Sequence, residues 1–181
     1  MAFTKGGYHA THVEQIVEAA GVARGTFYLH FESKHAVFEA LVDRMLALFL
    51  EARPTGEEPG IRTRADAEEI LRASYETVLG TFHKHRKLVA LVFDEAVGLG
   101  KGFRKKLESH YREWGRRVAH TLTVFQERGI ARPDLDVEVT AEMVIGMTER
   151  VTRQFILPRA RPDLERCVEA LVAYELGGCE R

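Results

Sequence analysis

The sequence predicts an all-α protein, with a short N-terminal helix-turn-helix headpiece followed by a larger helical domain. Three observations carry that prediction. Apolar residues recur at helical spacing in every long segment, and no stretch alternates with the two-residue period of a strand. Between Thr11 and Lys34, two short helical patterns flank a tight Ala20-Gly21-Val22 turn. Clusters of Gly, Pro and charge at 53–64, 98–102 and 158–162 then divide the remainder into helix-sized pieces.

Composition narrows the function classes. The 181 residues are 45% hydrophobic, enough for a real core. No uninterrupted apolar run reaches membrane-span length and no charged-then-apolar leader opens the chain, so we read it as soluble and cytoplasmic. A formal net charge of −1 argues against a nonspecific polyanion binder, which needs clustered cations. It leaves room for a local basic edge on an otherwise acidic surface. Cys167 and Cys179 lie too near the C-terminus to staple the fold and are read as reduced thiols.

Taken in order, Met1–Gly7 offers only a turn of helix, Ala2-Phe3-Thr4-Lys5. Thr11 and Glu14 have the spacing of a capping box that starts the first motif helix. Ile16, Val17 and Ala20 form one apolar edge, and Val22, Phe27 and Phe31 another. Gly21 suits the left-handed backbone that ends the first helix. From Ser33 a helix is predicted to Ala52, with Val37, Phe38, Leu41, Met45, Leu48 and Phe49 recurring at helical spacing.

Arg53–Arg64 reads as an exposed loop. A helix over Ala65–His83 places Leu71, Tyr75, Val78 and Phe82 on one face, and Arg86–Val97, apolar nearly all round, reads as a buried helix. Gly98–Gly102 lacks a preceding strand and P-loop spacing, so an interhelical turn is preferred to a phosphate site. Phe103–Arg128 is a long helix whose stripe is Leu107, Tyr111, Trp114, Val118, Leu122 and Phe125. The cations Lys101, Arg104, Lys105 and Lys106 at its start read as a solvated face rather than a DNA contact. Gly129 ends it. Asp136 caps a helix to Leu157, and Asp163 caps the last, to about Leu176, making about eight helices, or nine if a complete helix precedes Thr11.

The run GGYHATHVEQIVEAAGVARGTFYLHFESK, with its Gly-Val-x-x-Gly-Thr-x-Tyr-x-x-Phe core and the Ser-Lys that opens the next helix, closely resembles the DNA-binding domain of TetR-type transcriptional regulators. The resemblance covers about a fifth of the chain. It implies a headpiece over residues 1–48 and a helical ligand-binding and dimerisation domain over 49–181. The family's first helix is absent or truncated here, which a start-site or trimmed-end effect explains better than a natural two-helix headpiece. Its absence should expose part of Ile16, Phe27, Phe31 and Val37.

By the same resemblance, Arg24 occupies a base-reading position, where a guanidinium can pair with guanine O6 and N7. Ala23 and Gly25 let the helix approach the groove. Thr26, Tyr28, His30 and Lys34 match positions that contact the DNA backbone, His30 reaching a base as an alternative, and free amides near Thr11 suit a phosphate. Headpiece packing is the competing role for Tyr28, and plain solvation for Lys34. In the C-terminal part Tyr75, Phe93, Tyr111, Trp114 and Met147 sit on predicted inward faces, as pocket lining for a largely apolar effector or as core.

The pairs His83/His85, His9/His12 and His30/His35 lack metal-site spacing with carboxylate partners, and no hydrolase motif appears, so neither metal, cofactor nor enzyme activity is expected. Val144, Ile145, Val151, Phe155, Val168, Leu171 and Val172 crowd the last two helices, where Gly146 permits close approach. The resemblance implies a homodimer through those helices. The resulting expectation is a homodimeric repressor released from a palindromic double-stranded DNA operator by a small molecule. The alternative is a helical small-molecule-binding protein whose truncated headpiece no longer binds DNA.

Overall fold

A computed structural model describes residues 2–51, 61–95 and 100–179. Among them are nine α-helices and no strand: α1 (Phe3–Ala10), α2 (Val13–Ala20), α3 (Arg24–His30), α4 (Lys34–Glu51), α5 (Arg64–Lys84), α6 (Arg86–Glu95), α7 (Lys101–Glu127), α8 (Val137–Val151) and α9 (Leu164–Cys179). A π-helical turn, Thr152–Ile156, extends α8. No helix among the described residues is long and apolar enough to cross a membrane.

Several helix ends follow from local chemistry. Ser33 Oγ accepts from Ala36 N at 3.2 Å and starts α4. Asp136 Oδ1 takes the amides of Glu138 and Val139, each at 3.1 Å, and Asp163 Oδ1 that of Arg166 at 3.0 Å. Gly21, at φ 67°, closes α2 in the left-handed region, as its position in the motif predicts. Gly7, at φ 78°, kinks α1 after its first turn, a backbone that an L-residue resists. The kink lets Tyr8 pack with Phe3 and Phe38.

Other ends differ from expectation. The capping box of α2 belongs to His12 and Gln15, because the helix begins at Val13; Gln15 Oε1 accepts from His12 N at 2.8 Å. A box that the sequence reading overlooked starts α5, where Thr63 and Asp66 exchange side-chain and backbone bonds of 3.2 and 2.8 Å. It lies at the end of the supposed 53–64 loop; residues 52–60 fall outside the described residues, and Ile61 is buried rather than exposed. Within 98–102, residues 98 and 99 also fall outside them, and α7 begins at Lys101.

Two buried clusters organise the packing. One joins α5, α7, α8 and α9, with Leu71, Leu79, Leu122, Phe125, Val144 and Leu171 among its members. The second joins Phe3 of α1 to Phe38, Val42 and Met45 of α4, Phe82 of α5, Val89 and Val92 of α6, and Phe103 of α7. Helix α6 buries one side only, since Lys87 and Asp94 are exposed. Phe27, expected to be partly exposed, is buried, while Ile16, Phe31 and Val37 are half-buried.

The apolar crowd on the last two helices serves the protomer itself. Val144, Ile145, Val168, Leu171 and Val172 are buried within the chain, Val151 is half-buried, and only Phe155 is exposed. Nothing lies within 4 Å of a Cβ built on Gly146; the close approach between α7 and α8 is at Gly115, where a Cβ would stand 3.1 Å from Glu142 Oε1. What α8 and α9 turn outward is a different set: Val139, Met143 (63% exposed) and Tyr174 (72% exposed).

Candidate nucleic-acid interface and interior cavity

Helix α3 is held by one inward ring. Phe27 is its only buried residue and sits 6.0 Å from the Phe31 ring. Everything else on α3 faces outward, so Arg24, Gly25, Thr26, Tyr28, Leu29 and His30 form one exposed surface, with Ala23 just ahead of the helix. Around the axis, Leu29 lies about 160° from Phe27, one turn beyond Gly25. It is 82% exposed, the apolar apex of that surface, and the sequence reading passed over it. The outermost position of a helix whose only anchor is Phe27 was the available signal.

Arg24 is pre-positioned. Its Nη1 donates to Glu14 Oε1 of α2 at 2.6 Å, and its guanidinium lies 5.9 Å from the Tyr28 ring centroid. Both partners of the ion pair are more than half exposed, so it is well screened and yields readily to a stronger acceptor.

Two predicted DNA contacts are used inside the headpiece instead. Thr11 is 2% exposed and its hydroxyl donates to Gly7 O at 2.7 Å, so a phosphate there would meet the backbone amides that open α2 rather than the Thr11 side chain. Lys34 Nζ donates to Tyr8 O, His9 O and Thr11 O at 2.9, 3.1 and 2.8 Å. All three ammonium hydrogens are thereby committed to the carbonyls at the end of α1, where the helix dipole favours a cation. Lys34 caps α1 and is not merely a solvated charge.

Behind the headpiece, a cavity of about 180 Å³ opens against α4. Met45, Leu46 and Leu50 of α4 form one wall, and Phe82 of α5 with Val92 and Phe93 of α6 another. Helix α7 supplies Leu107, His110, Tyr111 and Trp114, and Glu149 and Arg153 close the polar end. There Tyr111 OH donates to Glu149 Oε2 at 3.1 Å and Arg153 Nε to Glu149 Oε1 at 3.0 Å. The Arg153 guanidinium also lies 4.2 Å from the Phe93 ring centroid. Burial, and then the Glu149 carboxylate, push the Tyr111 phenol far above its usual range, so it stays a donor. His110 Nδ1 lies 3.0 Å from Lys106 O; donating to that carbonyl leaves Nε2 as an acceptor in the neutral ring.

Of the five predicted pocket residues the cavity brings together Phe93, Tyr111 and Trp114. Tyr75 is buried in the other cluster, its hydroxyl donating to the buried Glu175, and Met147 packs against that same cluster. Both do face inward; helical periodicity does not say toward which of two interiors.

Helix α4 links cavity and headpiece through identifiable bonds. Lys106 Nζ of α7 pairs with Asp43 at 3.0 Å and Glu39 at 3.7 Å, so this member of the basic run is not a solvated charge. Arg117 Nη1 donates to Leu50 O at 2.8 Å, tying the last turn of α4 to α7. No cluster of three or more metal-binding side chains occurs among the described residues.

Comparison with known proteins adds to this geometry. Residues 1–41 match the model of the bacterial regulatory proteins of the tetR family. The HTH-type transcriptional regulator YdgC of Bacillus subtilis is 30% identical over 162 residues, covering 86% of this chain and 75% of the relative. The chain belongs to the TetR family. The HTH-type transcriptional repressor KstR2 of Mycobacterium tuberculosis is 27% identical over 177 residues, covering 97% of this TetR-family chain and 86% of KstR2. The fold also matches that of the transcriptional regulator FadR from Bacillus subtilis, solved in complex with stearoyl-CoA, with a TM-score of 0.74 at 19% identity, over 98% of this chain and 93% of FadR. These relatives are named as regulators and repressors, not enzymes, and this TetR-family chain is a DNA-binding transcriptional regulator.

Proposed function

We propose that this regulator is a homodimeric repressor, acting in the cytoplasm, that leaves a palindromic operator when a largely apolar small molecule enters the cavity between α4, α6, α7 and the end of α8. Residues 1–48 bind DNA and residues 49–181 hold effector and partner, with α4 spanning the boundary. Ala23, Arg24, Gly25, Thr26, Tyr28, Leu29 and His30 face the DNA, and Phe93, Tyr111 and Trp114 face the effector. The observation that carries this is the double attachment of α4: Lys34 in its first turn holds α1, and Met45, Leu46 and Leu50 near its end form a cavity wall.

A molecule that spreads this wall tilts α4 and moves the headpiece with it. In a dimer, that changes the separation of two recognition helices that must meet grooves about 34–36 Å apart, so both half-sites cannot be engaged at once. The partner surface is best supplied by the outward residues Val139, Met143 and Gly146 of α8, at i, i+4 and i+7, with Tyr174 of α9.

Footprinting on the DNA upstream of the chain's own gene, repeated across a salt series, tests the proposal. Protection of two half-sites about one helical turn apart, weakening with salt, is expected. Protection that ignores sequence, or none at all, would leave a ligand-binding protein whose headpiece does not read DNA.

A further inference from the structure

The polar end of the cavity is electrically self-compensated, and this restricts what can bind there. Glu149 already has its opposite charge in Arg153, its salt-bridge partner at 3.0 Å, and a neutral donor in Tyr111. Asp94, 3.9 Å from Arg153 but mostly exposed, adds a second, well-screened carboxylate on the outer side. A ligand carboxylate would therefore give up its hydration to reach a guanidinium that is already paired, and would sit beside Glu149 as a like charge. A ligand ammonium meets the mirror problem, since Glu149 is occupied and Arg153 repels it.

Unspent hydrogen-bonding capacity nevertheless remains. Each Glu149 oxygen has a further lone pair, and Arg153 has N–H groups beyond the one bonded to Glu149. A neutral group that both donates and accepts uses this capacity without bringing an uncompensated charge. The opposite walls are Met45, Leu46, Leu50, Val92 and Leu107, so the body attached to that group must be apolar. The volume of about 180 Å³ falls below the roughly 300–1,000 Å³ of sites for drug-sized ligands.

We infer that the cavity is selective for small neutral amphiphiles, an apolar body of moderate length ending in a hydroxyl or comparable donor–acceptor group, and that Glu149 and Arg153 enforce this by neutralising each other. The inference deepens the proposed effector reading and rests on it. It sets this cavity apart from one built for an anionic acyl compound.

A matched set of eight-carbon probes tests it: 1-octanol, octanoate and octylammonium, titrated into the intact protein with Trp114 emission and calorimetry as readouts. Octanol should bind about tenfold more tightly than either ion. Glu149→Gln leaves Arg153 only the well-screened Asp94 and should turn the preference to octanoate; Arg153→Met frees Glu149 and should turn it to octylammonium. Circular dichroism checks that each variant is folded, and the wild-type series decides if one is not. Equal or tighter binding of either ion to the wild type, an unchanged order in folded variants, or no binding of any probe would overturn the inference. DNA binding is measured separately in the same titrations. Selective octanol binding that leaves DNA binding unaffected supports the head-group selectivity and counts only against the repressor reading.

Discussion

The two ends of this molecule solve the packing problem differently. Helix α2 buries no residue completely and α3 only Phe27, whereas α5 and α9 bury seven each, so the headpiece depends on caps and on α4 where the C-terminal bundle depends on its own core. Lys34 on three carbonyls, Gly21 as a left-handed stop and the His12–Gln15 box do for the headpiece what Leu71, Leu122 and Leu171 do for the bundle. A surface that must meet DNA cannot spend its side chains inward. A domain with a large core can tolerate a cavity near its edge.

The two ends meet at Phe38. Phe38 is fully buried, with its ring 5.4 Å from Phe3, 5.0 Å from Tyr8 and 5.8 Å from Phe103. Replacing it with Ala should cost about 3–5 kcal/mol, and because the cluster is shared the loss should appear in Trp114 emission during denaturation as well as in headpiece probes. A Trp114 transition unchanged by Phe38→Ala would mean that the two ends fold independently.

Next comes the face that the bundle leaves uncovered. Met143→Glu puts a charge at the centre of the outward α8 surface and should give monomers by light scattering with little change in thermal stability, since Met143 is exposed in the protomer. Leu171→Glu, by contrast, should unfold the bundle itself because Leu171 is in its core. If Met143→Glu remains dimeric, the partner surface lies elsewhere.

Within the headpiece, Arg24 and Lys34 separate reading from holding. Arg24→Ala should relax specificity at one base position per half-site by about 1–3 kcal/mol. Lys34→Met should leave the salt dependence of DNA binding nearly untouched and lower headpiece stability instead, seen as faster amide exchange in α1. A shallower salt slope for Lys34→Met would return it to the phosphate contacts.

Leu29 sharpens the same contrast. Its exposed apex suits a thymine methyl, so Leu29→Ala should lose discrimination of thymine from deoxyuridine at one operator position that the wild type distinguishes. Identical discrimination by both proteins would place Leu29 outside the base contacts.

The smallest effect is expected at Cys179. Burial, and then Glu175, push its thiol up to about 11 from an ordinary 9.0. The folded state therefore holds this proton more tightly than the unfolded one, so stability from this group is complete below pH 9 and is lost as pH rises through about 11. A thiol reagent at pH 8 should label Cys179 only as fast as the chain opens, and rapid labelling of the native protein would contradict its burial.

Helical period, the Gly21 stop, the Asp136 and Asp163 caps and the Thr11–Lys34 motif were legible in the sequence because each depends on residues a few positions apart. These features determined the all-α class and most helix limits. Tertiary structure alone decided where inward faces led. Leu171 and Val172 are as apolar as an interface would need to be, yet α5 and α8 pack against α9, while Met143 and Tyr174 are left outside. Tyr75 and Trp114 share the same periodic signal but enter different clusters, and Lys34 finds its acceptors more than twenty residues away. A helix's own sequence specifies which side avoids water; what covers that side depends on distant segments, and only their packing assigns one apolar face to the core, leads another to a cavity and leaves a third exposed.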